Sequence, residues 1–208
     1  MSHPQPDESL AESLEGTDLA NLYSSIDIQN VHGLNLTVPE DARAVIKPWD
    51  KRNDTDTFAE SNVDDQVIIH IPFVENVRIR AILLKFGRGD LTPRHLRVYA
   101  NRTTIVDFAE AEDITPQLNI SLLEGETGVT AYPLHAAAFA NVHSLSLYFS
   151  ESVGGDALRI YYIGFRGDSR SHRKEGNQKN VVPAANAPDV KLFDRLTERA
   201  GGQQTTAR

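Results

Sequence analysis

From Gln66 to Phe165 apolar side chains recur at every second position, and this periodicity constrains the fold more than any other feature of the chain. Val67, Ile69, Ile71 and Phe73 alternate with Ile68, His70 and Pro72. Val77, Ile79, Ala81 and Leu83 alternate with Arg78 and Arg80, and Leu96, Val98 and Ala100 with Arg97 and Tyr99. In the stretch LSLYFS, Leu145, Leu147 and Phe149 face one way while Ser146, Tyr148 and Ser150 face the other. After the turn Gly154-Gly155-Asp156, a strand over 157–165 is expected to carry Leu158, Ile160 and Tyr162 on one face and Arg159, Tyr161, Ile163 and Phe165 on the other. It is expected to stop at Gly164 to Gly167. DFAEAED (107–113) reads as one helical turn, and 132–140 as either a strand or a short alanine-rich helix. Strands at short intervals without long helices between them predict an all-β sandwich with short peripheral helices and argue against a βαβ sheet.

Around this core the sequence predicts two tails. Residues 1–18 hold five acidic and no basic residues and few large apolar ones, the composition of a disordered leader. Leu19, Leu22, Tyr23 and Ile26 then stand at helical spacing behind Asp18 as a candidate N-cap, which predicts a short packed helix opening a core over 19–167. Leu34, Leu36, Val45, Ile46 and Trp49 anchor the turn-rich stretch that follows. Residues 168–208 form a basic C-terminal extension, with a candidate helix over 189–200 capped by Asp189 and closed by Gly201. Leu192, Phe193 and Leu196 give that helix an apolar face, and Lys191, Arg195 and Arg199 a basic stripe beside it.

Composition removes whole classes of chemistry. The chain has no cysteine among its 208 residues, so disulfides, thiol nucleophiles and thiolate-ligated metals are excluded. The seven histidines (His3, His32, His70, His95, His135, His143, His172) show no ligand spacing, so no metal and no cofactor is expected. The pairs Asp64-Asp65 and Glu110/Glu112 point apart as adjacent or alternate residues and read as solvated carboxylates rather than an acid and base. With no nucleophile elbow and no phosphate loop either, no catalytic residue is assigned and the chain is not expected to be an enzyme. A net charge of -8 argues against nucleic acid or an anionic membrane as partner. The acidic N-terminus lacks the basic and apolar pattern of a secretory signal, which predicts a cytoplasmic and nuclear protein. Four Asn-x-Ser/Thr sequons at Asn35, Asn53, Asn101 and Asn119 then read as turns and strand ends, and Gly87-Arg88-Gly89-Asp90 as a turn between a strand ending at Phe86 and one opening near Pro93.

Six stretches together resemble a known family: LYSSID, SNVDDQVIIHIPF (61–73), VRIRAILLKF (77–86), PRHLRVYANR (93–102), DFAEAED, and LYFSESVGGDALRIYYIGFRG (147–167) follow one another in the order seen in PITH domains. The name denotes the proteasome-interacting domain of thioredoxin-like proteins. The resemblance covers about residues 19–190 and is closest to the stand-alone type, since the chain has neither room for a thioredoxin domain nor a cysteine. It implies a jelly-roll, galactose-binding-like β-sandwich and a non-catalytic module that binds the proteasome regulatory particle, here expected to act as a monomer. ANAPDVKLFD (185–194) is similar to the tail of stand-alone members, but Val190 stands where a histidine often follows the aspartate, so no role of such a histidine carries over.

On this reading the last strand anchors the basic extension to a rigid sandwich. The candidate partner-binding residues are Arg166, Arg170, Arg173, Lys174, Lys191, Phe193, Arg195, Leu196 and Arg199. The alternative is a small-ligand or carbohydrate-binding β-sandwich, for which Trp49, Tyr132, Tyr148 and Tyr161 are the candidate aromatic platforms.

Overall fold

The structure, a computed structural model, describes residues 20–102 and 104–169. Nine strands make up the body: β1 (Ala20–Asn21), β2 (His32–Leu34), β3 (Ala59–Glu60), β4 (Val67–Phe86), β5 (Pro93–Ala100), β6 (Leu118–Ser121), β7 (Thr130–Pro133), β8 (Val142–Ser152) and β9 (Arg159–Ser169). Two short helices, α1 (Asp41–Ala44) and α2 (Phe108–Asp113), lie between them. Among the described residues no helix is long and apolar enough to cross a membrane.

The long strand β4 builds both layers. Its first half pairs antiparallel with β8 and with β2, and β8 continues through β5 to β6. The β4–β8 register breaks between Pro72 and Val77, and beyond that corner β4 pairs with β9 and β7 instead, while β1 and β3 extend β9. The two layers close on one apolar core. Ile69, Ile71, Leu96, Val98, Leu145, Leu147 and Phe149 enter it from the first layer, and Ile79, Ile82, Leu84, Ile160, Ile163 and Phe165 from the second. Edge-to-face ring pairs join the layers, Phe73 with Phe165 at 5.6 Å and Phe86 with Phe149 at 6.0 Å between centroids. This is the expected β-sandwich.

In the first layer the period-two expectation holds residue by residue. In the second it holds only in pieces, because two bulges reverse the faces. Between β4 and β9 the register slips at Arg80 and again at Tyr161, each an extra residue on its strand. Past Arg80 the inward set on β4 becomes Ile82, Leu84 and Phe86, and Leu83 turns outward. Past Tyr161 the inward set on β9 becomes Ile163 and Phe165, so Tyr162 leaves the face of Leu158 and Ile160 and packs on the outside. The expectation for 157–165 is corrected accordingly. β9 also runs through Gly164 and Gly167 to Ser169 rather than stopping there.

The start of the core differs too. Ala20 and Asn21 pair with Gly167 and Arg166 at the edge of the second layer, and two 3-10 turns, Tyr23–Ser25 and Ile28–Asn30, follow. Leu22 and Ile26 are buried as their spacing predicts, but the edge pairing replaces the expected helix; Asp18 and Leu19 lie outside the described residues. α2 matches its expectation, with the Asp107 carboxylate accepting from the Glu110 amide as N-cap. Of 132–140, the first residues belong to β7. Asn35 and Asn101 both hold left-handed backbone turns with their side chains engaged, Asn35 to Asp64 and Gln66, Asn101 to Asn141 and His143. Gly89 has φ +96°, a turn conformation, between Phe86 and Pro93 as read from the sequence.

Candidate interaction surface

The outer face of the second layer carries an unusual polar cluster on an apolar patch. Leu83, Val129 and Tyr162 form the patch, and the half-buried Trp49 and Ala131 pack on it. Trp49 arrives on the loop over 47–57, which two buried lysines fasten down. Lys47 donates to the carbonyls of Asp54 and Thr57 and pairs with the Asp54 carboxylate at 3.3 Å, while Lys85, on β4, donates to the carbonyl and side-chain oxygens of Asn53. The Lys47 ammonium and the Asp56 and Thr57 groups hold the Asp54 carboxyl below the usual carboxylate range, the backbone bond from Asp56 contributing most.

Two guanidinium groups lie over the Trp49 ring, that of Arg52 at 4.1 Å from its centroid and that of Arg166 at 4.7 Å. Arg52 also donates to the Trp49 carbonyl, which fixes it on the loop. Arg166 comes from β9, directly opposite Asn21 on β1. Burial pushes the Arg166 pKa down and the neighbouring charge of Arg52 adds to the effect. Burial likewise pushes the Tyr162 hydroxyl up to about 12. The Asn21 amide faces that hydroxyl and acts against the rise.

Arg166 is therefore the one sequence-predicted partner residue whose surroundings are defined. Arg170, Arg173, Lys174, Lys191, Phe193, Arg195, Leu196 and Arg199, with the candidate helix over 189–200, lie outside the described residues. The sequence singled out Trp49 as an anchor and Arg166 as a tail residue; nothing local joins them, because their contact depends on the β9 register and the Tyr161 bulge.

The aromatic platforms of the carbohydrate reading are occupied. Tyr132 is buried and accepts from the Leu123 amide, and Tyr148 is buried and donates to Gln66. Tyr161 meets Phe58 edge-on at 6.0 Å, and guanidinium groups take up Trp49. A polar cavity of about 360 Å³ sits on the first layer, lined by Asp65, Gln66, Arg97, Glu112, Tyr148, Ser150 and Glu151. It brings Asp65 and Glu112 together from separate pairs, but the Asp65 carboxylate accepts from the Ser152 amide and so ties β8 to the 61–66 loop.

Strand pairing also gathers histidines that the sequence leaves scattered. His32 stands opposite His70, and the His70 ring is 3.0 Å from the Ser146 hydroxyl. Burial lowers the His70 pKa, and the charges of His32 and His143 lower it further. The unfolded imidazole, at about 6.5, then takes up its proton before the folded one, so stability is lost as pH falls through that value. Urea unfolding of the parent is expected to weaken from neutral pH toward pH of about 5.5. His70→Gln should flatten that dependence, and an unchanged slope would remove His70 as its source. Among the described residues no three metal-ligating side chains converge.

The PITH domain family profile matches residues 12–185, well over half of the sequence. The chain belongs to the PITH domain family. It is 34% identical over 178 residues to the PITH domain-containing protein CG6153 of Drosophila melanogaster, covering 84% of this chain and 83% of that one. PITH domain-containing protein 1 of Homo sapiens is 33% identical over 173 residues, 82% of this chain and 81% of the human protein. Among solved structures, the CBM32-1 and CBM32-2 domains of Clostridium perfringens ZmpB superpose with a TM-score of 0.53 at 13% identity, over 79% of this chain and 40% of that one. That likeness places the PITH domain among galactose-binding-like jelly rolls and speaks to fold alone.

Proposed function

We propose that this PITH protein is a non-catalytic interaction module that docks on the proteasome regulatory particle, with the outer face of the second layer as part of its contact surface. The observation that carries the reading is Trp49 beneath Arg52 and Arg166. Tryptophan and arginine are the residues most enriched among binding hot spots, and neither arginine has an ion-pair partner among the described residues. Family membership supports an interaction role over a catalytic one. The basic residues from Arg170 to Arg199 continue the same positive character along the chain. The module works as a monomer in cytoplasm and nucleus.

Affinity capture tests this directly. Tagged protein from its own cells is expected to bring down regulatory-particle subunits, less so for Arg166→Glu and for a chain lacking residues 184–208, with larger losses at low salt. A particle that is absent from the eluate of the parent protein at every salt concentration removes the proteasome from the reading.

A further inference from the structure

The cavity of about 360 Å³ on the first layer has a size that receives a small ligand or one long side chain. Its charged walls come from four elements: Asp65 from the loop ahead of β4, Arg97 from β5, Glu112 from α2 and Glu151 from β8. Three carboxylates thus stand against one guanidinium. That guanidinium lies over the Tyr148 ring at 5.6 Å and against the Tyr99 hydroxyl, and no ion pair among the described residues joins it to any of the three. Glu151 has only the His95 ring, at 3.6 Å.

In a regular strand successive side chains point to opposite faces, yet Ser150 and Glu151 both line the cavity. The left-handed backbone of Glu151, φ +59°, makes this possible, a conformation that residues other than glycine and asparagine adopt at a cost. Ser150 is 8% exposed, and its hydroxyl, on the cavity wall, has no hydrogen-bond partner among the described residues. Tyr148 donates its hydroxyl hydrogen to Gln66, which leaves the phenolic oxygen as one more acceptor. The complement of these walls is a cation. A compact metal ion needs ligands that converge on one point, and no three metal-ligating side chains do so among the described residues. Carboxylates spread round a cavity suit an extended organic cation instead. A guanidinium presents five donors in a planar fork and engages separate acceptors at once, where an ammonium is a point charge.

We propose that Asp65, Glu112, Ser150 and Glu151 form a site for a guanidinium group, supplied by an arginine side chain in a segment of the docked partner. This rests on the reading of the chain as a protein-docking module and gives it a second, acidic contact surface on the layer that does not carry Trp49.

Calorimetric titration of the full-length chain at physiological salt with a capped Gly-Arg-Gly peptide is expected to saturate at one site. The same peptide with citrulline in place of arginine, uncharged and of nearly the same shape, should not bind. Glu112→Gln and Glu151→Gln should each weaken the binding by about tenfold, the scale of one lost charge-assisted contact. Both side chains are exposed, so neither change threatens the fold. Glu126→Gln removes an equal charge at an exposed position ahead of β7 and should leave the midpoint unchanged, which separates the cavity from the overall charge of -8. No saturable binding, or equal weakening in all three variants, overturns the site. A Gly-Lys-Gly peptide that binds as tightly overturns the guanidinium as its occupant. Capture of the regulatory particle by the same proteins separates the site from the reading it rests on. Capture undiminished in both cavity variants overturns a partner arginine as the occupant. Capture by a parent that binds no peptide removes the site and leaves docking elsewhere on the module, and peptide binding by a parent that captures no particle keeps the site and removes the named partner.

Discussion

Leu147→Ala is expected to lower the unfolding free energy by about 2–5 kcal/mol, the range for emptying a leucine site in a core that cannot collapse around the gap. Leu147 is fully buried in β8, flanked in register by Ile69 of β4 and Val98 of β5. Strands on both sides hold the backbone in place, and the second layer covers the side chain, so none of the walls can move in cheaply. The loss should appear as a lower urea midpoint at unchanged slope. Ser146→Ala, one position along and facing outward, provides the contrast. It removes only the contact with the His70 ring, a hydrogen bond of about 1 kcal/mol. A Leu147→Ala loss below about 0.5 kcal/mol, the scale of a neutral surface change, would mean that β8 is registered one residue away from the arrangement described.

The difference between the two layers shows what period-two reading can reach. Along β8 and the first half of β4 no residue is inserted, so alternation in the sequence is alternation in space, and the inward set can be read directly. In the second layer Arg80 and Tyr161 each add one residue. Neither residue type marks a bulge, and beyond each one every face is reversed. Alternation alone therefore puts Tyr162 on the side of Leu158 and Ile160, and the cluster it anchors does not show in the sequence. Trp49 and Arg166 were visible singly, as an anchor and as a basic residue at the edge of a tail. Their stacking is a product of strand pairing between segments far apart in the chain. The histidines tell the same story through the β2–β4 pairing. Leu22 and Ile26 show the opposite failure. Their helical spacing identified buried residues correctly and the element wrongly, because edge hydrogen bonds from Ala20 and Asn21 to β9 outweigh a weak local preference.

The glycines of β9 read as a stop signal in the sequence and are clearance in the fold, which leads to a second large effect. Gly167→Ala is expected to cost about 3 kcal/mol, the upper part of the range for overpacking. A methyl group there would overlap the backbone carbonyl oxygen of Arg78, on the neighbouring strand. That oxygen belongs to the interior of β4, just ahead of the bulge at Arg80, so relief requires shifting a paired strand rather than rotating a side chain. Gly167 has no positive φ, so backbone conformation plays no part and the cost is one of space. Gly89→Ala is the reverse case. It has φ +96° and nothing within 4 Å of the added atom, and it should cost only the local strain, about 1–2 kcal/mol. Gly167 also adjoins Arg166, so a strand pushed away from Arg78 carries the guanidinium off the Trp49 ring. Gly167→Ala should therefore change the tryptophan emission of the folded protein while Gly89→Ala leaves it alone. Equal stabilities for the two variants, with parental emission in both, would show that β9 does not pass β4 as closely as described and would loosen the placement of Arg166 over Trp49.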